Sequence, residues 1–206
     1  LHTGGASIPG SFPITGKDLI NINPHVSFHI NGGPVSMEDK YFEIVARDTD
    51  IVMQVCTAGN LRTTFLCAEM ARKHGAFERF LIATDTPTGS GVMPLGLIYT
   101  ISQIASLTSF EVPELIAAAT GNVAKCYGLN SGFLKPSFDA DIVLIDAPLG
   151  GTKVDALGAL KNGDPCAIGA VITAGVPRFV GRSNNTPPPI REIKVLRSNV
   201  MNVFQG

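Results

Sequence analysis

Four short apolar runs, each followed by a stretch of helical periodicity, divide the first 107 residues. That alternation restricts the chain to βα units and hence to a parallel sheet. The strand-like runs are Leu1-His2 and residues 26–30, 51–56 and 80–84. Met37, Tyr41, Ile44 and Val45 follow at helical spacing, opened by a capping-box pattern at Ser36-Met37-Glu38-Asp39. Leu61, Phe65, Ala68 and Ala71 make a second apolar stripe that ends at His74-Gly75, where glycine suits a left-handed cap. A third helix is expected to start at Pro94, with Leu97, Ile101 and Ile104 facing inward. A closed barrel of such units needs eight strands, and four leave two open edges. The chain has no Met start and opens inside a strand-like run, so the expectation is a piece of something longer.

Three of the runs end alike. His2 precedes Thr3-Gly4-Gly5, His29 precedes Ile30-Asn31-Gly32-Gly33, and Asp85 closes Phe80-Leu81-Ile82-Ala83-Thr84 before a Thr-Pro-Thr-Gly-Ser-Gly loop. Parallel barrel strands put the side chains at their ends on one rim, where such folds keep their chemistry. Two imidazoles and a carboxylate there form the donor set of a divalent-metal site. His25 shares strand parity with His29 but lies four residues earlier, about 13 Å deeper at roughly 3.3 Å per residue, and is expected to be structural. His74 is expected at a helix C-terminus, favoured by the dipole. Asn31 and Asn60 follow strand ends and are candidate substrate contacts. The glycine pairs match no phosphate-loop pattern and are expected to let backbone approach the site closely.

Residues 108–128 carry two more helical patterns, the first at 114–119 and the second opened by Thr120 and ended by Gly128. From Phe133 the pattern becomes strand-like: residues 140–146 and 167–175 are rich in Ile and Val, joined by a Gly- and Pro-rich loop, with a hairpin return at 176–180. The expected division is 1–128 as the α/β part, 129–182 as a small β-module and 183–206 as an extended tail. With 45% hydrophobic residues the chain can bury a core. A net charge of −1, no Trp and no basic block argue against a nucleic-acid partner. No apolar run approaches the roughly 20 residues that span a bilayer, and no basic n-region of a signal peptide is seen. Four widely spaced cysteines without a CxxC pair are expected to be free thiols in a reducing cytoplasm.

The run Gly132-Phe133-Leu134-Lys135-Pro136-Ser137-Phe138-Asp139-Ala140-Asp141-Ile142-Val143 resembles the C-terminal motif of the amidohydrolase superfamily, with Ser137 in place of the usual glycine. The preceding stretch, residues 119–129, matches the helix those enzymes carry before it. Within the superfamily the likeness is to the enamidase branch, hydrolases of cyclic enamides in nicotinate breakdown. It is carried by His2-Thr3-Gly4-Gly5-Ala6-Ser7-Ile8-Pro9, His29-Ile30-Asn31-Gly32-Gly33-Pro34, Pro148-Leu149-Gly150, Asp155-Ala156-Leu157-Gly158-Ala159 and Asn184-Asn185-Thr186-Pro187-Pro188. The run Cys56-Thr57-Ala58-Gly59-Asn60 departs locally, in a loop that should line the pocket, and makes Gly59 and Asn60 candidate substrate contacts beside Asn31.

The resemblance implies the C-terminal half of a metal-dependent (β/α)8 barrel followed by a small β-sandwich. It implies that His2 and His29, from the fifth and sixth strands, hold one divalent metal. Asp85, from the eighth, would hold the other and act as acid/base. Zinc is the expected metal, with iron a candidate at the second position. The implied reaction is hydrolysis of a C–N bond in a small cyclic amide, with a metal-activated hydroxide attacking the carbonyl. The His-x-His pair of the first strand and the bridging lysine or glutamate of the fourth have no counterpart here. The implied partners are therefore further copies in a homo-oligomer or a chain carrying the remaining barrel strands. The alternative reading is a non-catalytic or incomplete subunit that needs such a partner to complete the metal site.

Overall fold

The computed structural model describes residues 1–6, 8–32, 35–87 and 91–196. Ser7, Gly33, Pro34, residues 88–90 and positions 197–206 of the expected tail lie outside the described residues.

The first elements are α1 (Gly16–Ile22), β1 (Val26–Ser27), α2 (Lys40–Asp48), β2 (Val52–Cys56), α3 (Leu61–Lys73), β3 (Phe80–Ala83) and α4 (Gly96–Leu107). The three strands are parallel, in the order β1-β2-β3, with Ser27 beside Met53 and Met53 beside Phe80. An isolated parallel pairing of His2 with Phe28 adds the first run to the free side of β1. Spatial order therefore follows chain order with helical crossovers, as in a barrel wall. The outer face packs on the helices. Met53, Val55, Phe80 and Ile82 are buried in one cluster with Phe42, Val45, Cys67, Ala68, Ile104 and Leu115. At about 25 cal/mol per Å² of apolar area, this contact is the main source of stability.

Several helix starts differ from the sequence reading, α4 and the helix that opens at Val112 by two residues each. The Ser36 capping box does not form: α2 begins at Lys40, and the Ser36 hydroxyl donates to the Met37 carbonyl instead. Asp39 pairs through both oxygens with Arg62 on α3. A true capping box opens α1, where Thr15 and Asp18 exchange side-chain and backbone hydrogen bonds. The next helices are α5 (Val112–Ala119) and α6 (Gly121–Tyr127). Thr120 sits between them, but its hydroxyl donates back to the Ile116 carbonyl rather than capping α6. Gly128 ends α6 at φ +64°, in the left-handed region.

The remainder comprises β4 (Ile142–Asp146), α7 (Ala156–Lys161), β5 (Ala167–Thr173) and β6 (Val176–Val180). The strands make one antiparallel sheet, ordered β4-β5-β6. Helix α7 occupies what reads in sequence as a loop. Asp155 caps it by accepting from the Gly158 amide, and the Ser102 hydroxyl of α4 donates to the Leu160 carbonyl. The stretch expected to be a tail pairs back along the chain just after β4. Leu149 N–H donates to Pro188, Ile190 N–H to Ala147, and Arg191 forks onto the Asp146 carboxylate.

Candidate functional site

The C-terminal ends of the parallel strands carry the predicted residues. His2 follows the first run, His29 follows β1, Gly59 and Asn60 follow β2, and Asp85 follows β3. His29 and Asp85 are both non-glycine residues at positive φ, +37° and +58°. Such backbone is sparsely populated, though His and Asp tolerate it better than most, and it concentrates at functional sites.

The two imidazoles meet. Nδ1 of His2 lies 2.7 Å from Nε2 of His29, with ring centroids 4.9 Å apart. Nδ1 of His29 lies 3.1 Å from the Thr3 carbonyl oxygen. A carbonyl oxygen only accepts, so Nδ1 carries the proton. In the neutral ring the Nε2 lone pair is then directed at His2. This is how a histidine is held for metal ligation, with one nitrogen donating to a backbone carbonyl and the other left basic. Two imidazole nitrogens on one ion at about 2.1 Å each stand roughly 3.3 Å apart, so a small ring rotation would seat a cation between them.

Asp85 stands apart from that pair. Among the described residues no three His, Cys, Asp or Glu side chains converge closely enough to hold a metal. The three-membered point anticipated from the strand ends is therefore a histidine pair with a separate carboxylate. Asp85 acts on Cys56, the last residue of β2. Burial first, and the Asp85 charge second, push that thiol up to about 11. Cys56 is thereby held as the neutral thiol at neutral pH. Just past Asp85, the Thr86 hydroxyl donates to the Gly91 carbonyl at 2.6 Å and accepts from the Met93 amide, tying both ends of the rim loop together.

The three candidate substrate contacts are occupied within the fold. Asn31 is fully buried, and its amide donates to the Cys56 carbonyl and the Thr64 hydroxyl while its oxygen accepts from the Cys56 amide. It locks the turn after β1 to the end of β2 and the start of α3. A Cβ on Gly59 would come within 2.1 Å of the Asn31 amide nitrogen, so only glycine fits there. Asn60 caps α3, accepting from the Thr63 amide. The residues that sequence reasoning missed are Thr3 and Ser27. Their contacts run between segments more than 20 residues apart, which no local pattern records. His25 is exposed at the start of β1, away from the rim, and His74 ends α3 against Glu43.

Residues 29–185 match the amidohydrolase family. The chain belongs to the amidohydrolase family. It is 38% identical over 196 residues to an enamidase of Eubacterium barkeri, covering 95% of this chain and 50% of that protein. The crystal structure of enamidase, a member of the amidohydrolase superfamily, superimposes with a TM-score of 0.89 at 37% identity, over 95% of this chain and 51% of that one. A 5-methylthioadenosine/S-adenosylhomocysteine deaminase of Archaeoglobus fulgidus is 32% identical over 124 residues, 54% of this chain and 28% of that protein. The chain thus spans half or less of the curated relatives it matches. A β-aspartyl dipeptidase of Fervidobacterium islandicum shares the fold, at a TM-score of 0.52 and 17% identity. The parallel wall is accordingly part of a TIM-type amidohydrolase barrel.

Proposed function

We propose that this chain is the C-terminal portion of an enamidase-like hydrolase that cleaves the C–N bond of a small cyclic amide. The observation that carries the reading is the histidine pair: two ring nitrogens 2.7 Å apart on adjacent parallel strand ends, in a chain 38% identical to an enamidase. His2 and His29 would hold one divalent ion, zinc in the first instance, with Asp85 toward a second position that zinc or iron would take. A bound metal would supply Lewis-acid polarisation of the amide carbonyl and a water acidic enough to attack at neutral pH.

The chain's own residues supply the rest. Asp85, on the rim, takes the proton from the attacking water and delivers it to the departing nitrogen, so one carboxylate serves as base and then acid. Asn31, Gly59 and Asn60 act on the substrate through the shape of the loop they fix rather than by free side-chain groups. From an enamide, the released enamine tautomerises to an imine, and a second water hydrolyses it to an aldehyde and ammonia.

The remaining barrel strands, and the other layer of a β-sandwich over the antiparallel sheet, would come from chain not included in residues 1–206 or from a neighbouring copy. A homo-oligomer suits that arrangement. Among the described residues no helix is long and apolar enough to cross a membrane, and all four cysteines are free, which supports a reducing, cytoplasmic setting. A second reading, a subunit inactive until a partner completes the site, is favoured by the histidine pair's lack of a third ligand among the described residues.

The test is Asp85→Asn in the full protein, assayed on a cyclic amide with circular dichroism as the folding control. Loss of about 10²–10⁴-fold in turnover with the fold intact is expected, the range for removing a general acid–base group. Unchanged turnover refutes the role of Asp85. Hydrolysis restored only on adding a second chain selects the subunit reading.

A further inference from the structure

The Thr3 hydroxyl oxygen lies 2.6 Å from the Ser27 hydroxyl oxygen, and both residues are buried, at 2% and 0% exposure. Neither hydroxyl reaches the rim, so the proposed chemistry gives them no task. Their position is the informative part. Thr3 follows His2 directly, and Ser27 precedes His29 by two residues. The backbone of the first run meets the end of β1 at an isolated pairing, His2 with Phe28. The hydroxyl bond is thus a second tie at the point where the Thr3 carbonyl must be held against His29 Nδ1, 3.1 Å away. His29 has left the strand conformation, at φ +37°, so ladder geometry no longer dictates where its ring points.

We propose that the buried Thr3–Ser27 hydroxyl pair is a positioning element that selects the His29 tautomer. It fixes the Thr3 carbonyl, the carbonyl accepts the hydrogen bond of Nδ1–H, and the basic lone pair is left on Nε2, facing His2. An imidazole in water prefers its proton on Nε2, the arrangement that would turn an N–H toward the cation position. The anchor reverses that preference before any ligand arrives. The inference rests on the reading of His29 as a ligand, but its consequence is visible in the protein without metal.

The experiment is nitrogen-15 NMR of ring-labelled histidines in the full chain, stripped of metal by a chelator, at a pH where the rings are neutral. Wild type and Thr3→Ser, which keeps the hydroxyl, should show His29 as a single Nδ1–H tautomer. Thr3→Val, of nearly the same shape but without the hydroxyl, should shift the tautomer ratio at least tenfold toward Nε2–H. Ser27→Ala, which removes the other partner, should do the same and serves if Thr3→Val does not fold. A folded Thr3→Val or Ser27→Ala with the wild-type ratio overturns the proposal. So does a wild-type His29 protonated on Nε2, or a Thr3→Ser that behaves like Thr3→Val. These readouts need neither metal nor turnover, so the hydrolase reading can fail separately.

Discussion

The parallel wall and the antiparallel sheet solve the problem of apolar strands differently. In the wall, β2 and β3 lay Met53, Val55, Phe80 and Ile82 against a layer of helices and bury them completely or nearly so. In the other sheet, β4 leaves Val143 at 53% and Leu144 at 45% exposure, and the pairing with residues 188–190 is secured by Asp146 and Arg191. One region is held by its core; the other is held at its edge and leaves an apolar side chain exposed on each of its faces. Strands this apolar are rarely left open in a finished protein. On the proposed function, chain outside residues 1–206 or a neighbouring copy would cover this sheet.

The comparison can be broken most directly by truncating a large side chain in each region. Phe42→Ala removes a fully buried ring from the wall and should cost about 3–5 kcal/mol in urea unfolding, whereas Leu144→Ser should change stability by less than about 0.5 kcal/mol. Equal losses would mean that β4 is already covered. Asn31→Ala should cost about 2–3 kcal/mol, because it strands the buried Cys56 amide and carbonyl and the Thr64 hydroxyl. A loss below about 1 kcal/mol would remove Asn31 as the bolt between the rim turns.

Arg191→Ala tests the edge and should destabilise the fold by less than Asn31→Ala does. Its fork, joined by the Ala147 and Arg191 amides, holds the Asp146 carboxyl down at about 2 against the opposing effect of burial. A depressed carboxyl stabilises the fold above its ordinary value of about 4, and that contribution fades as pH falls from about 4 toward 2. The stability gap between wild type and Arg191→Ala should close over that window. A gap independent of pH would assign the effect to side-chain packing.

Local signals made the wall legible in sequence. Each strand was a short apolar run, each rim residue followed directly, and strand order came from helical crossovers. The meeting of His2 and His29 followed from their being neighbours in that order. The same signals misled where a polar side chain had a closer or more distant alternative. Ser36 had the spacing of a cap, but its hydroxyl found the Met37 carbonyl. Asn31 looked free for substrate because its partners lie 25 and 33 residues away. Helix α7 passed as loop because a short Ala-Leu-Gly-Ala-Leu-Lys stretch has too little periodicity to stand out; it depends on the Asp155 cap and contact with α4. The antiparallel strands were recognisable singly, whereas the way the chain returns along β4 was not.

On the proposed function His2 and His29 together hold one divalent ion, which zinc binding by the full chain measures. His29→Ala should weaken zinc binding at least about tenfold at unchanged thermal stability, in line with the loss of an oriented ligand. Zinc held as tightly by His29→Ala as by wild type would contradict the assignment and, with it, the metal centre at this rim.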